Sequence, residues 1–372
     1  MRRFAAWIDP LEAAVGRLRR RPGAASGVVL FSAGGLGDTV LLATVFDRFA
    51  GLARPGETLT LVLRADAGAM AFLFDGLAEV ATVDFRRLAR SPGYRVRTLA
   101  GLRARRARLV VSLDHRRHPD LDEALIAACA GERTVGMEPR RWAKYAARLG
   151  RARACYAALY DSGPDRLDKV VRWARFADWL AGTERPLPVV ALPFARLPPP
   201  VTLDSPTVYV QPFSAVAQKQ VPVDFLARLI AALPADWRVR LTGTAADLAR
   251  HPAYRGLIDE PRVTFDGATF RDLLPLLRTA RAVISVDTAL MHLAAAAGVP
   301  TLCLASAAYV DEIVPYAAEI CPPNVRFVYC PMPCQGCLGD CQLPAESGMY
   351  PCVARLDAAA AAAALRGLLD GG

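Results

Sequence analysis

The sequence AVISVDTALMHLAAAAGVPTLCL, residues 282–304, contains a complete strand–helix–strand unit. The β-branched apolar run Val283–Val286 predicts a buried strand, and the Ala- and Leu-rich segment that follows it predicts a helix. Gly298 and Pro300 end that helix, and a second apolar run follows at once. In open α/β sheets ligands bind at the carboxyl ends of the strands, and the free N–H groups of a helix's first turn favour an anion such as phosphate. The stretch therefore predicts an anion-binding site.

Strands and helices alternate throughout the 372 residues, which are too many for one ordinary core. Seven prolines in the segment 186–206 favour a stiff connector. We therefore predict an α/β fold of two Rossmann-like, doubly wound domains facing each other across a cleft. The predicted divisions are an N-terminal domain (1–190), a C-terminal domain (191–355) with a Cys-rich segment (321–352), and a C-terminal helix (356–372). The predicted strands are 28–32, 59–64, 80–84, 109–114, 134–137, 208–211, 238–242, 263–265, 283–286 and 301–304.

Positive charge is concentrated in the first part of the chain. Residues 1–150 contain 25 Lys and Arg against 15 Asp and Glu, whereas the remainder contains 21 of each. Such an excess suggests an anionic partner (a membrane surface, a phosphorylated glycolipid or a nucleic acid), although an Arg-rich composition explains it as well. Residues 1–22 predict a basic amphipathic helix that packs on the protein or binds an anionic leaflet. We expect neither a membrane span nor a secretory signal.

The first predicted strand, Val28–Ser32, is followed by a glycine-rich turn. Gly35 and Gly37 fill two positions of the dinucleotide-binding fingerprint, but Val40 occupies the third, where close packing requires Gly or Ala. We expect Asp38 at the N-cap of the next helix, where its carboxylate would repel a phosphate. Two interpretations stay open: Asp38 is only a cap, or it is also a carboxylate base facing the cleft.

A cluster of charged and imidazole side chains, residues 114–118 (DHRRH), follows the predicted strand at 109–114. Its position at the carboxyl end of a strand suits an anionic acceptor group. A solvated loop explains the same composition equally well, and the sequence does not decide between these two interpretations.

Three motifs occur in an order that resembles a known family. They are Gly37-Asp38 after the first strand, the run from Gln211 to Ser214 with Lys219 ahead of Val221-Pro222, and Asp287-Thr288 with His292, Gly298 and Pro300 behind it. Together, over roughly residues 27–320, they resemble the ADP-heptose:lipopolysaccharide heptosyltransferases, glycosyltransferase family 9.

The resemblance implies a GT-B fold, inverting chemistry and no metal at the sugar-nucleotide site. It implies that Asp38 is the general base and that Lys219 neutralises the leaving diphosphate, roles that agree with the needs of an inverting displacement. The implied substrate-binding residues are Gly35, Gly37, Ser214, Asp287, Thr288, Ala289 and His292. The sequence departs from the family pattern at Ala245, where Glu is usual, and at Ala289, where Gly is usual, and it lacks a Trp after Lys219. These departures bear on the identity of the nucleotide and the sugar.

Six of the nine cysteines fall in the segment 321–352. Close spacing in a loop rich in Pro and Gly is typical of a metal knuckle, and the pair Cys334 and Cys337 has the usual spacing. We predict a structural Zn or Fe site, with disulfides or free thiols as the alternatives. Some relatives of the resembled family that modify bacterial surface proteins carry a Cys-bound iron. The predicted ligands are Cys334, Cys337, Cys341 and Cys352, with Cys330 as a substitute.

The function predicted first is an inverting glycosyltransferase in the cytoplasm, with peripheral contact to the inner membrane as a further possibility. It would move a sugar, heptose before others, from a nucleotide diphosphate donor such as ADP-heptose to a lipopolysaccharide, glycan or protein hydroxyl. The alternative is a noncatalytic sugar-nucleotide or glycan-binding subunit of a larger assembly. Val40 disfavours an NAD-dependent oxidoreductase, and we expect no nucleic-acid partner.

Overall fold

The computed structural model describes residues 26–370. They form two compact units, the first of residues 26–165 and 172–186, and the second of residues 166–171 and 187–370. The basic helix predicted over residues 1–22 lies outside the described residues. No helix among the residues described is both long and apolar enough to cross a bilayer.

The first unit contains a six-stranded parallel sheet in the order β3-β2-β1-β4-β5-β6. Its strands are β1 (Val28–Ser32), β2 (Leu59–Arg64), β3 (Glu79–Val83), β4 (Leu109–Ser112), β5 (Arg133–Met137) and β6 (Ala158–Tyr160). Its helices are α1 (Leu36–Ala50), α2 (Phe85–Arg90), α3 (Pro92–Ala104), α4 (Asp122–Cys129) and α5 (Ala146–Ala152), and α6 (Lys169–Ala181) contributes residues to both units.

Strand β1 lies in the middle of this sheet, and all five of its residues are buried. Helices cover a parallel sheet on both faces, and a central strand is therefore apolar on both faces. The strand order reverses between β1 and β4, which are neighbours in register from Val28 to Phe31. Such a switch point opens a crevice at the carboxyl ends of the two strands. Asp38 follows β1 and Asp114 follows β4, so both lie at this switch point.

The second unit repeats the architecture with the order β12-β11-β10-β7-β8-β9, again all parallel. Its strands are β7 (Thr207–Gln211), β8 (Arg238–Thr242), β9 (Val263–Asp266), β10 (Ala282–Val286), β11 (Thr301–Leu304) and β12 (Val325–Val328). Its helices are α7 (Val223–Ala231), α8 (Ala245–Arg250), α9 (Arg255–Ile258), α10 (Phe270–Leu277), α11 (Ala289–Ala296), α12 (Pro351–Ala354) and α13 (Ala358–Asp370).

The switch point of the second sheet lies between β7 and β10, which are adjacent parallel strands. Lys219 lies in the loop that follows β7, and Asp287 is the first residue after β10. The C-terminal helix α13 packs on this unit, and it buries Leu365 and Leu368 in the same core as β10 and β11. The rules of an open parallel sheet therefore place Lys219 and Asp287 where ligands bind.

Candidate active site

Asp38 lies in the first turn of helix α1, at its third residue. The expectation that Asp38 occupies the N-cap is wrong, because the helix begins at Leu36 and Gly35 is the cap. The Asp38 Oδ2 atom accepts a hydrogen bond of 2.8 Å from the Gly35 N–H, so the carboxylate still closes the helix start. A Cβ atom at Gly34 would lie 2.5 Å from the Asp38 Cβ, which explains the glycine there. Asp38 and Gly37 are both partly exposed.

The cluster at residues 114–118 is mostly internal. Asp114, His115 and Arg117 are buried, so the interpretation as a solvated loop is wrong. Asp114 accepts a hydrogen bond from the N–H of Ala33, and Arg117 Nε lies 3.1 Å from Glu123 Oε1. Because the Arg117 charge is matched inside the unit, its guanidinium is structural.

Two groups around this loop are neutral near pH 6. The His115 Nδ1–H donates to the Glu138 carbonyl oxygen at 3.0 Å, and burial, followed by the charge of Arg172, lowers the pKa of His115 to about 4. Asp122 accepts from the His118 N–H at 2.8 Å, yet burial raises its pKa to about 7. His115 and Asp122 are therefore buried at the first switch point in their neutral forms near pH 6.

At the second switch point, Lys219 and Asp287 form a buried ion pair. The Lys219 Nζ atom lies 2.5 Å from Asp287 Oδ2, and the two residues are only 8% and 7% exposed. Burial acts to lower the pKa of Lys219, but the attraction of Asp287 outweighs it and the pKa is raised. Lys219 is therefore charged at neutral pH, and a buried ammonium next to a ligand crevice is suited to phosphate.

The loop between β7 and Lys219 is held by its own side chains. Ser214 Oγ accepts from the Val216 N–H at 3.2 Å, and Gln220 Nε2 donates to the Ser214 carbonyl at 3.1 Å. Ser214 is partly exposed beside this turn. A Cβ atom at Gly243, after β8, would clash with the Phe213 ring. These contacts fix the approach of the chain to Lys219.

Helix α11 presents its N-terminus at the same edge. Thr288 is its N-cap, and among the described residues the Thr288 side chain makes no capping hydrogen bond to the helix; its hydroxyl lies 3.1 Å from Ser285 Oγ. Ala289 is the first helical residue and is buried. First-turn N–H groups without a side-chain cap favour an anion.

His292 is buried one turn into α11, behind the helix start. Its Nδ1 atom lies 2.7 Å from the Tyr316 hydroxyl, and burial raises the pKa of Tyr316 well above its usual value. The Tyr316 hydroxyl thus remains protonated. His292 therefore has a hydrogen-bond partner inside the second unit.

The departure from the family pattern at Ala245 lies at the start of helix α8. Ala245 is the first residue of α8, and Thr244 is its N-cap. Asp247 accepts from the Thr244 N–H at 3.0 Å and from the Thr244 hydroxyl at 2.6 Å. Asp247 therefore caps its own helix, and Ala245 adds no polar group beside it.

Four cysteines of the C-terminal segment meet in one pocket, lined also by Met332 and Tyr350; they are Cys334, Cys337, Cys341 and Cys352. Burial raises the pKa of Cys352, and the charges of the other three thiols raise it further. All four are free thiols. Within residues 26–370 no group of three His, Cys, Asp or Glu side chains has the geometry of a formed metal centre.

The donor set nevertheless fits a tetrahedral Zn or Fe ion, because four thiolates are the usual ligands of both. The backbone turns sharply here: Gly336 has a φ of 75° and Gly339 a φ of 84°, in the left-handed region that favours glycine. Cys330 does not line the pocket.

The fold matches solved glycosyltransferases over nearly the whole chain. E. coli heptosyltransferase WaaC, solved with ADP-2-deoxy-2-fluoro heptose, aligns with a TM-score of 0.65 at 17% identity, over 92% of this chain and 99% of that one. A family 9 glycosyltransferase from Veillonella parvula DSM 2008 aligns with a TM-score of 0.68 at 14% identity, over 95% and 100%. The chain therefore has the GT-B glycosyltransferase fold, an α/β fold with two Rossmann-like units.

A sequence comparison supports the same class of protein. Residues 184–326 match the model of glycosyltransferase family 9 (heptosyltransferase), and the resemblance found from the motifs is confirmed there. Over these residues the chain is thus similar to the heptosyltransferases of glycosyltransferase family 9. No curated protein sequence matches it significantly.

One further solved structure bears on the cysteine segment. The dodecameric iron-containing heptosyltransferase TibC of enterotoxigenic E. coli, in complex with ADP-D-β-D-heptose, aligns with a TM-score of 0.50 at 14% identity, over 94% of this chain and 77% of that one. For this chain, the similarity to TibC shows a shared fold and nothing further.

Two tyrosines, Tyr309 and Tyr316, were not identified from the sequence. Tyr309 covers Lys219, with the ammonium 4.7 Å from the ring centroid, and Tyr316 binds His292. The only available signal was position, since the segment 305–316 follows β11 at the carboxyl edge of the sheet. Composition gave no indication of either contact.

Proposed function

We propose that this protein transfers a sugar, heptose before others, from a nucleoside diphosphate donor to an acceptor hydroxyl with inversion of configuration. The observation that supports this most is the buried Lys219–Asp287 pair at the switch point of the second sheet. The donor is proposed to be ADP-heptose, by analogy with the ADP-linked ligands of the solved relatives.

Lys219 would bind the diphosphate of the donor. Its ammonium has three N–H groups, of which the contact with Asp287 occupies one direction, so further donors remain for phosphate oxygens. As the sugar–phosphate bond breaks, negative charge grows on the leaving diphosphate. A charged group held in place beforehand stabilises that charge without reorganisation. The first-turn N–H groups of α11, at Thr288 and Ala289, would add to it.

Asp287 would have two roles. It keeps Lys219 charged in a buried position, and its carboxylate would accept hydrogen bonds from hydroxyls of the donor sugar. Ser214, partly exposed in the loop after β7, would add a polar contact to the same substrate. These assignments predict that donor binding depends on the second unit.

Asp38 would be the general base that takes the proton from the acceptor hydroxyl. An inverting displacement needs one base, and a partly exposed carboxylate at the carboxyl edge of the first sheet is suited to that role. The Gly35 N–H donates to Asp38 Oδ2, and Gly35 and Gly37 would bind the acceptor beside it.

The test is the variant Asp38→Asn, whose amide oxygen can still accept from Gly35 and whose fold should be intact. We expect ADP binding to be unchanged and the rate of sugar transfer to fall by about 10²- to 10⁴-fold, the usual range for a lost general base. Asp47→Asn, on the same helix, is the matched control. Full transfer by Asp38→Asn would exclude the base assignment.

The acceptor is proposed to be an anionic lipopolysaccharide, another glycan or a protein hydroxyl, because the excess positive charge lies in residues 1–150. We place the reaction in the cytoplasm, with peripheral contact to the inner membrane. Binding to vesicles of anionic lipid that weakens from 50 to 300 mM salt would support that contact, and binding to neutral vesicles alone would contradict it.

A second candidate function is a noncatalytic subunit that binds a sugar nucleotide or a glycan. The observation in its favour is that Ala245 and Ala289 replace the usual Glu and Gly. Mass spectrometry of nucleotide sugars retained by the purified protein, followed by incubation with acceptor, separates the two candidates. Retention without turnover supports the binding subunit.

We also propose a structural Zn or Fe at Cys334, Cys337, Cys341 and Cys352, and no divalent metal at the donor site. Elemental analysis should show about one metal per chain, and Cys337→Ser should lose it whereas Cys155→Ser in the first unit should retain it. Metal retained by the double variant Cys337→Ser/Cys341→Ser would exclude these ligands. A chelator too weak to strip the cysteine site should not affect donor binding.

A further inference from the structure

Tyr309 lies directly against the Lys219 ammonium. The Lys219 Nζ atom is 4.7 Å from the centroid of the Tyr309 ring, within the distance at which a cation is attracted to an aromatic face. Tyr309 ends a single helical turn, Ala307–Tyr309, just after β11. A ring face is a suitable neighbour for Lys219, because it stabilises the ammonium without adding the negative charge that would repel a diphosphate.

The cysteine segment holds the turn that carries Tyr309. The Gly336 N–H donates to the Ala307 carbonyl at 2.9 Å, and the Leu338 N–H donates to the Ala308 carbonyl at 2.7 Å. Gly336 and Leu338 flank Cys337, which lines the thiol pocket. The backbone next to a pocket cysteine is therefore hydrogen-bonded to the two residues before Tyr309.

A second connection runs through Tyr350. Its hydroxyl donates to the Gly339 carbonyl at 3.1 Å, and its N–H donates to the carbonyl of Gln218, the residue before Lys219, at 3.0 Å. A Cβ atom on Gly339 would lie 3.4 Å from the Tyr309 hydroxyl oxygen and 3.5 Å from that of Tyr350. The loop around Gly339 thus packs against both tyrosines that border Lys219.

We propose that Tyr309 is a positioning residue for Lys219, and that the segment 334–352, which carries the four pocket cysteines, sets the position of Tyr309. Ordering of this segment, by metal or by its own contacts, then controls the affinity for the donor diphosphate. The inference rests on the proposed role of Lys219 in binding that diphosphate.

The first experiment measures the dissociation constant of ADP by calorimetry in the full-length chain. Tyr309→Leu removes the ring, and we expect ADP to bind roughly tenfold more weakly, the scale of one desolvated cation–π contact. Tyr309→Phe keeps the ring face and should bind within about twofold of wild type. If Tyr309 had only a structural role, Tyr309→Leu and Tyr309→Phe would instead lower the melting temperature by the same amount. In steady state the Leu variant should raise KM for the donor more than it lowers kcat.

The second experiment is a double-mutant cycle that tests the connection to the cysteines. Cys337→Ser should weaken ADP binding in the wild-type background and have little further effect in the Tyr309→Leu background. Cys155→Ser, an exposed cysteine of the first unit, is the matched control and should change nothing. Equal weakening by Cys337→Ser in both backgrounds, or in neither, would overturn the proposed connection.

Lys219→Ala separates this inference from the proposed function. If Lys219→Ala loses ADP while Tyr309→Leu binds it like wild type, the role of Tyr309 is wrong and the proposed function stands. If Lys219→Ala binds ADP like wild type, the diphosphate role of Lys219 is wrong and this inference is overturned with it.

Discussion

The loops at the two switch points both bury ionisable side chains, but burial neutralises His115 and Asp122 in the first unit, whereas Lys219 in the second unit stays charged. In the first unit, burial lowers the pKa of His115 to about 4 and raises the pKa of Asp122 to about 7, so both groups are neutral near pH 6. In the second unit, Lys219 and Asp287 are just as inaccessible but form a close ion pair, and the pKa of Lys219 is raised.

The difference lies in the partner that each buried group finds. An isolated buried charge costs several kcal/mol in desolvation, so a group without an opposite charge nearby changes its protonation state instead. Lys219 has the Asp287 carboxylate 2.5 Å away, and that attraction outweighs the effect of burial and keeps the ammonium charged. The first unit also contains a buried ion pair, Arg117 with Glu123 at 3.1 Å, so the contrast lies in the partner of each group and not in the unit that holds it.

Removing one member of the charged pair should have the largest effect on stability. Lys219→Ala leaves the Asp287 carboxylate buried without its counter-ion, and we expect the free energy of unfolding to fall by about 3–5 kcal/mol at pH 7. Urea unfolding followed by circular dichroism measures this. An exposed pair of similar charge, Arg355 with Glu346, is the control, and Arg355→Ala should unfold close to the urea concentration of wild type because solvent screens the pair.

The double variant Lys219→Met/Asp287→Asn sharpens the same comparison. Removing both charges removes the need to pair them, so most of the lost stability should return. ADP binding should not return, because the ammonium is absent. If the double variant remained as unstable as Lys219→Ala, the uncompensated charge would not be the cause of the loss.

In the neutralised loop, Asp122 should produce a pH dependence of stability with the opposite sign to a normal carboxylate. Its pKa rises from 3.8 to about 7 on folding, so the folded state binds the additional proton between these values. Stability from this group is full below pH 3.8 and is lost as the pH rises through 7. Between pH 4 and 8, the free energy of unfolding of Asp122→Asn should therefore fall by about 2–4 kcal/mol less than that of wild type.

The measurement is urea unfolding of wild type and Asp122→Asn at several pH values. The Asn side chain can still accept from the His118 N–H, so the helix start of α4 is preserved. Asp84→Asn, at the cap of α2, is a control whose carboxylate accepts from Arg87 in a solvated position. Parallel curves for wild type and Asp122→Asn would show that Asp122 is ionised in the folded state.

The sequence was sufficient for the parallel sheets, because buried β-branched runs such as Val283–Val286 occur at the predicted intervals. It missed β6 and β12, which are edge strands of only three and four residues, and Arg326 also interrupts the apolar pattern of β12. It placed the start of α1 three residues late, at Thr39, because Asp38 has the chemistry of a cap and acts instead from the third helical position.

The local sequence pattern could not predict which distant residues form pairs. The motifs identified Lys219 and Asp287 separately, with different substrate groups assigned to each, but their mutual ion pair depends on β7 and β10 being neighbours in the sheet. Tyr309 depends on the same strand order and also on the fold of the cysteine segment. Only the tertiary structure brings these groups together, so periodicity and spacing could not indicate them.

The smallest predicted effect concerns His115, whose contribution to the pH dependence of stability is opposite in sign to that of Asp122. Its pKa falls from 6.5 to about 4 on folding, so the unfolded state binds the additional proton between these values and stability from this group is lost as the pH falls. His115→Gln keeps a donor for the Glu138 carbonyl and cannot titrate, and it should recover about 2–3 kcal/mol at pH 4 relative to pH 7. Because the contributions of His115 and Asp122 have opposite signs between pH 4 and 6.5, this variant should also reveal a steady decrease of stability with rising pH that wild type masks.

Urea unfolding between pH 4 and 8 measures both effects, with His251→Gln in the second unit as the control. An unchanged pH dependence in His115→Gln would mean that the imidazole is charged in the folded protein.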